Sequence, residues 1–304
     1  MTRTLFALVL VGLISQASAA VLDNKTSTHP RDQAITVFGT HDRQEMTSKK
    51  LPWGAIGRLV VLGDKVGENK YKVESTCTGT LVGPRHVLTA AHCVVDFKKG
   101  TITSRHVVFQ LGYQNGNYIA ESFVNRYAGY ALGATVHLTS ENIEGDWAVV
   151  QLQDNLGEKY GYLAVTTMSS EEISSSKKNS TAVGYSHDFK DGQVAGVHSG
   201  CSITGANGNR FKLDCDYTQG ASGGPILQRL TREVNGKEYV SDYVIGILTT
   251  AVAEVVKNEQ GEVIEKPFPN GTEYKDKIAN GGLASRTFIF ELIEMLNEYK
   301  KNKK

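Results

Sequence analysis

Short apolar runs recur along the chain between glycine- and asparagine-bearing turns. "RLVVLGD" (58–64), "GTLVGPRHVLTAAHC" (79–93), "HVVFQLGY" (106–113), "DWAVVQL" (146–152), "STAVGYS" (180–186), "FKLDCDY" (211–217) and "YVIGILTT" (243–250) are the main ones. Runs of this length, partly alternating and punctuated by turns, predict β-strands in a barrel or sandwich. The pattern is interrupted between residues 152 and 180, where the Ser/Lys/Glu-rich second half reads as a surface loop, and it then resumes. A seam is therefore expected near residue 155, with a β half on either side. No solenoid-type repeat is present. Helical spacing is clearest at the end, in "ASRTFIFELIEMLNEYKK", where Phe288, Leu292, Met295 and Leu296 share a face opposite most of Glu291, Glu294 and Glu298. It predicts an amphipathic helix docked on the β scaffold.

The first residues change the compartment. A positive start at Arg3, an apolar stretch from Leu5 to Ile14 and the Ala17-Ser18-Ala19 site predict a secretory signal peptide over 1–19. No stretch is apolar for long enough to span a membrane. The 304 residues carry 33 basic and 32 acidic side chains, so no strong field draws the protein to nucleic acid or a membrane surface. Sequons begin at Asn24, Asn179 and Asn270. Four cysteines suit an oxidising compartment and fall into two local couples, which predicts Cys77–Cys93 and Cys201–Cys215. A zinc site is the competing reading, but no C-x-x-C spacing supports it.

The candidate chemistry centres on "TQGASGGPIL" (218–227), where Ser222 stands among Gly220, Gly223 and Gly224. Such a run suits a tight turn with exposed amides. G-x-S-x-G also describes an α/β-hydrolase elbow, but that triad needs a histidine after the serine, and all eight histidines precede Ser222. Of these, His92 stands in "VLTAAHCVV", at a strand end, with small Ala90 and Ala91 beside it and a cysteine following. His86, His187 and His198 lack such a frame and read as surface or loop residues. Asp146 opens the apolar strand "DWAVVQL", where a carboxylate is held still and desolvated against an imidazole. Asp96, Asp154, Asp188 and Asp191 lie in polar contexts and read as solvated.

"TAAHC", "DWAVV" and "GASGGP" together resemble the chymotrypsin-fold serine proteases. "VFGTHDRQEM" (37–46) and "CDYTQGASGGP" resemble the secreted glutamyl endopeptidase branch. The resemblance implies an all-β fold of two antiparallel six-stranded barrels with a C-terminal α-helix. Residues 20–36 would be a propeptide, 37–155 the barrel carrying His92 and Asp146, and 156–304 the barrel carrying Ser222 plus the helix. It also implies a secreted endopeptidase, extracellular or periplasmic, made as a zymogen. It would act as a monomer on polypeptides, without cofactor or metal, and be open to protein inhibitors. Ser222 would be the nucleophile, His92 the base and Asp146 its orienting acid, with the Gly220 and Ser222 amides as oxyanion hole. A catalytically silent homologue that acts as a binding module is the alternative. An esterase is disfavoured by chain order and the β-only layout. The specificity pocket would be walled by residues 216–219 and 248–251, with Asp216, Gln219, Thr249 and Thr250 touching substrate. Asp216 stands where trypsin-like enzymes place the aspartate that selects Arg or Lys, yet the glutamyl branch often has an aspartate here without basic specificity, which leaves a structural Asp216 bound to backbone amides as the alternative. Leu248 stands where that branch usually reads glutamate with a histidine, which leaves a small or apolar preference as a third option.

Overall fold

Two curled antiparallel sheets make up the protein in a computed structural model that describes residues 21–23, 37–68, 70–103, 105–125, 129–139, 141–175, 177–251, 254–257, 263–266 and 279–303. The first sheet uses β1 (Ile56–Gly67), β2 (Lys70–Leu81), β3 (His86–Thr89), β4 (His106–Leu111), β5 (Ala120–Phe123), β6 (Tyr130–Leu132) and β7 (Ala148–Gln151). Their order is β6-β7-β3-β2-β1-β4-β5, and the short strand Val21–Asp23 lies parallel to β2. A bridge between Val124 and Leu152 joins the ends of β5 and β7 and curls the sheet on itself.

The second sheet uses β8 (Ser180–Gly184), β9 (Gly196–Cys201), β10 (Ile203–Asn207), β11 (Arg210–Leu213), β12 (Pro225–Val234), β13 (Lys237–Ala251) and β14 (Asn280–Ala284). The order is β10-β11-β14-β13-β12-β8-β9, with the short strand Gln44–Glu45 beyond β9. Asn235 and Gly236 join β12 to β13 with φ of 53° and 74°, the left-handed pair that a two-residue hairpin turn requires. The expected all-β fold is present. Among the described residues each of these two sheets counts eight strands rather than six, the short Val21–Asp23 and Gln44–Glu45 included.

The apolar runs mark what is buried. Leu59, Phe109, Val149, Val183, Tyr185, Ile247 and Phe288 belong to one cluster that draws on both sheets, so the two halves share a core. A second cluster, including Ile203, Phe211, Leu213, Tyr217 and Ile226, fills the second sheet. Two short helices, α1 (Leu156–Tyr160) and α2 (Ser170–Ser174), occupy the connection between the halves. The stretch expected to be loop therefore holds a helix, started by a capping box in which Ser169 accepts the Glu172 N–H and Glu172 accepts the Ser169 N–H.

The chain ends cross over. Residues 37–46 belong by sequence to the first half but lie along the second, where Gln44–Glu45 pairs with β9 and Met46 N–H donates to Ala195. Conversely, α3 (Ile289–Asn302) leaves the second sheet and docks on the first: Phe288 packs against Trp147, Tyr299 lies edge-on to His86, and Lys303 pairs with Glu158. Leu292 and Met295 are buried and Glu291, Glu294 and Glu298 exposed, as the helical spacing predicts. The helix begins at Ile289, after a 3₁₀ turn over Ser285–Thr287.

Candidate active site

His92 lies in a 3₁₀ turn, Ala91–Cys93, directly after β3. Ala90, just before the turn, and Ala91, its first residue, are fully buried. The disulfide Cys77–Cys93 ties it to β2, and Cys201–Cys215 closes a short loop in the second sheet. Both predicted pairings are present, which consumes the four thiols a zinc site would need. Asp146 caps the turn Ile143–Gly145 at the entrance to β7 and is completely buried. Its Oδ2 lies 2.8 Å from His92 Nδ1, while its Oδ1 accepts the His92 backbone N–H at 3.0 Å. One carboxylate thus fixes both the ring and the main chain of the histidine. Because Nδ1 faces the carboxylate, the ring carries its proton there and leaves Nε2 as the basic nitrogen.

The Ser222 turn is pinned from both sides. Thr78 N–H donates to the Ser222 carbonyl at 2.9 Å, and Cys93 Sγ lies 3.8 Å from that oxygen, so the residue after His92 abuts the serine. On the other side Gly223 N–H donates to Leu248 O, and Ser222 Oγ lies 3.5 Å from the Thr249 carbonyl. Of the five amides from 220 to 224, Ala221 donates to Thr218 O, Gly223 to Leu248 O and Gly224 to Ala221 O. The Gly220 and Ser222 N–H groups donate to no acceptor among the described residues. Gly220 has φ +89°, and a Cβ there would lie 2.3 Å from the Tyr185 carbonyl oxygen, so only glycine fits.

The other sequence candidates are placed differently. Asp216 is 2% exposed, and its oxygens accept Phe38 N–H at 2.8 Å and Asp42 N–H at 3.1 Å. Its own N–H donates to His198 Nδ1 at 2.8 Å. Its carboxylate is therefore engaged by backbone amides of the arm of residues 37–46. Gln219 is half-buried and faces His187, Oε1 to Nδ1 at 3.2 Å. Thr249 is buried with its carbonyl toward Ser222, Leu248 is buried, and the Thr250 side chain lies outside the described residues.

Of the three histidines read as surface or loop residues, His187 lies in a loop, whereas His86 and His198 lie on strands and are buried. His86 is fully buried, His198 is 8% exposed, and His187 is half-buried against Gly220. His187 Nε2 lies 2.6 Å from Thr76 Oγ1, and its backbone N–H donates to Gln219 O. Asp188, read as solvated, is exposed, and its carboxylate also holds Arg43 through two hydrogen bonds at 2.9 and 2.6 Å and accepts the Thr218 hydroxyl. Burial pushes its carboxyl up, but the Arg43 and Thr218 bonds outweigh this and hold it below the usual carboxylate range. Sequence reasoning did not single out Thr76 or Thr78, and it gave His187 no role at the site.

The trypsin-like peptidase domain model matches residues 77–236, a span that includes His92, Asp146 and Ser222. This chain belongs to the trypsin-like peptidase family. Among curated relatives it is 25% identical to a glutamyl endopeptidase of Bacillus licheniformis over 205 residues, covering 66% of this chain and 57% of that protein. It is 27% identical to a venom serine protease of Polistes dominula, covering 50% of this chain and 61% of that one. It is 32% identical over 118 residues to inactive serine protease 35 of Mus musculus, covering 38% of this chain and 26% of that one. The matches thus span less than two thirds of each relative. A solved Glu endopeptidase in complex with MPD superposes with a TM-score of 0.56 at 18% identity, covering 88% of this chain and all of that one. That likeness confirms the chymotrypsin-like fold.

Proposed function

We propose that this protein is a secreted serine endopeptidase that cleaves peptide bonds through His92, Asp146 and Ser222. The observation that carries the reading is the amide pattern of the Ser222 turn. Buried N–H groups are nearly always paired, yet the two in this turn without acceptors among the described residues are those of Gly220 and Ser222, on either side of Ala221. Two such donors beside a nucleophile suit an oxygen that becomes negative during reaction. Each contributes on the order of 3 kcal/mol of transition-state stabilisation.

In this mechanism His92 Nε2 takes the Ser222 hydroxyl proton as Oγ bonds to the peptide carbonyl carbon. The carbonyl oxygen, now an oxyanion, lies against the two amides. Asp146 holds the Nδ1–H and stabilises the imidazolium. The imidazolium returns its proton to the leaving amine as the C–N bond breaks, giving an acyl-enzyme on Ser222. Water, deprotonated by His92, adds to the acyl carbon, and the imidazolium returns that proton to Ser222 Oγ as the Oγ–C bond breaks and the acid leaves. The two disulfides agree with an oxidising compartment, and the predicted signal peptide, residues 1–19, lies outside the described residues.

The inactive mouse relative makes a silent binding module the second reading. Labelling with a fluorophosphonate, together with cleavage of a peptide library, decides between them. Stoichiometric label on Ser222, lost in Ser222→Ala and strongly slowed in His92→Ala, is expected of the enzyme. Absence of label in the folded protein sinks the proposal.

A further inference from the structure

Resting on that reading, we propose that Thr78 is a positioning residue for the reaction, acting through Gly220 and Ser222 from the opposite sheet. Thr78 lies on β2 and is completely buried. Its hydroxyl accepts the Tyr185 N–H at 2.9 Å and donates to the Gly220 carbonyl at 2.8 Å. Its backbone N–H donates to the Ser222 carbonyl at 2.9 Å. One residue therefore holds the peptide just after Gly220 and the peptide just after Ser222.

The need for such a clamp follows from the turn itself. A glycine at φ +89° has wide conformational freedom, so its N–H, which lies in the plane of the preceding peptide, keeps its position only if the chain on both sides of Gly220 is held. The plane before Gly220 is fixed by His187 N–H on the Gln219 carbonyl. The plane after it is fixed by Ala221 N–H on Thr218 O along one edge and by the Thr78 hydroxyl along the other. Ala221 offers no polar side chain to do this work. Without the hydroxyl, both the Gly220 carbonyl and the Tyr185 N–H lose their buried partner, and a rotated peptide that pairs them differently becomes competitive. Such a rotation changes ψ of Gly220 and shifts its Cα, which displaces the Gly220 N–H from the reacting oxygen while leaving Ser222, His92 and Asp146 in place. Thr80, two residues along on the same face of β2, is equally buried, but its hydroxyl has no partner among the described residues. It supplies the matched control.

The test compares Thr78→Val, Thr78→Ser and Thr80→Val in the full disulfide-bonded protein. Active enzyme is counted by fluorophosphonate labelling taken to completion. Thr78→Val is expected to lower kcat about 10- to 100-fold, part of what losing one oxyanion donor costs, with KM within about threefold of wild type. Affinity for a peptide aldehyde, whose adduct also carries an oxyanion, should fall in parallel. Thr78→Ser keeps the hydroxyl and should restore kcat to within about threefold, and Thr80→Val should match wild type. Equal kcat in Thr78→Val and wild type overturns the inference. So does a KM effect alone, or aldehyde affinity that does not follow kcat. Should the valine variant not fold, a folded serine variant with kcat down about tenfold or more still overturns it. A wild-type protein that neither cleaves peptides nor takes label refutes the peptidase reading instead, which separates the two failures.

Discussion

Asp146 holds His92 twice, through Nδ1 at 2.8 Å and through the backbone N–H at 3.0 Å. The carboxylate is fully buried, whereas the imidazole is about one third exposed, 33%. A rigid, dry anchor therefore directs a histidine whose ring stays partly open to solvent. The double contact separates two consequences of removing the charge, one chemical and one structural.

Asp146→Asn keeps the shape but offers an NH₂ group to Nδ1–H, which favours the tautomer with its proton on Nε2. The expected loss in kcat is about 10⁴-fold, the magnitude established for the chymotrypsin-type triad itself. Asp146→Ala also releases the backbone N–H of the turn and should lower thermal stability as well. Steady-state kinetics beside thermal melts separate the effects. An Asn variant within tenfold of wild type would rule out the tautomer role.

Asp216 makes the opposite prediction. Phe38 and Asp42 amides occupy its oxygens, so it contributes to stability rather than to selection of a cationic side chain. Asp216→Asn is expected to cost about 2–3 kcal/mol, the range for hydrogen bonds to a buried charged group. The kcat/KM ratio between matched Arg and Leu peptides should stay within about threefold. A collapse of Arg cleavage in a folded variant would restore the basic-pocket reading.

The difference between these aspartates shows what a linear sequence reveals. Asp146, His92 and Ser222 each carry a local frame: a strand start, alanines followed by a cysteine, a glycine turn. Local steric demands leave local marks. The partners of Asp216 and Thr78 leave none, since Phe38 is 178 residues from Asp216, and Thr78 is 142 from Gly220. Those contacts exist only once the two sheets and the N-terminal arm have met. The histidines fail for the same reason, because burial of His86 depends on a helix that arrives from the far end of the chain. Helix α2 is a different kind of miss: Ser169-x-x-Glu172 is a capping signature visible in the sequence, outweighed there by the surrounding serines and lysines.

His86 gives a pH dependence. Burial, with Arg85 adding to it, pushes its pKa down to about 4. Gln151 faces Nε2 at 3.3 Å, while Nδ1 has no partner among the described residues. The folded state binds this proton less readily than the unfolded chain, whose histidine titrates near 6.5. The stabilising contribution is therefore complete above about pH 6.5 and is lost as pH falls toward 4, on the order of 2–3 kcal/mol. Acid unfolding of His86→Gln should show a shallower slope across that window. An unchanged slope would remove His86 as the cause.

Activation provides the last prediction. Many chymotrypsin-fold enzymes order their oxyanion turn when a newly cut α-amino group pairs with an aspartate just before the nucleophile. Ala221 occupies that position here, so no such pair forms. The arm that follows the proposed cut at Val37 is instead held by Phe38 N–H and Asp42 N–H on Asp216, by Arg43 on Asp188 and by Met46 N–H on Ala195. Each of these uses a group that exists whether or not the chain is cut, and none requires a free amine. Charge released at Val37 therefore has little left to organise, and the Ser222 turn is already pinned through Thr78 and Leu248. A protein starting at Ala20 is expected to retain kcat within about tenfold of one starting at Val37, measured on a small peptide substrate that residues 20–36 do not obstruct. Activity below about one hundredth of the trimmed form, with the same melting temperature, would show that the free N-terminus orders the site after all.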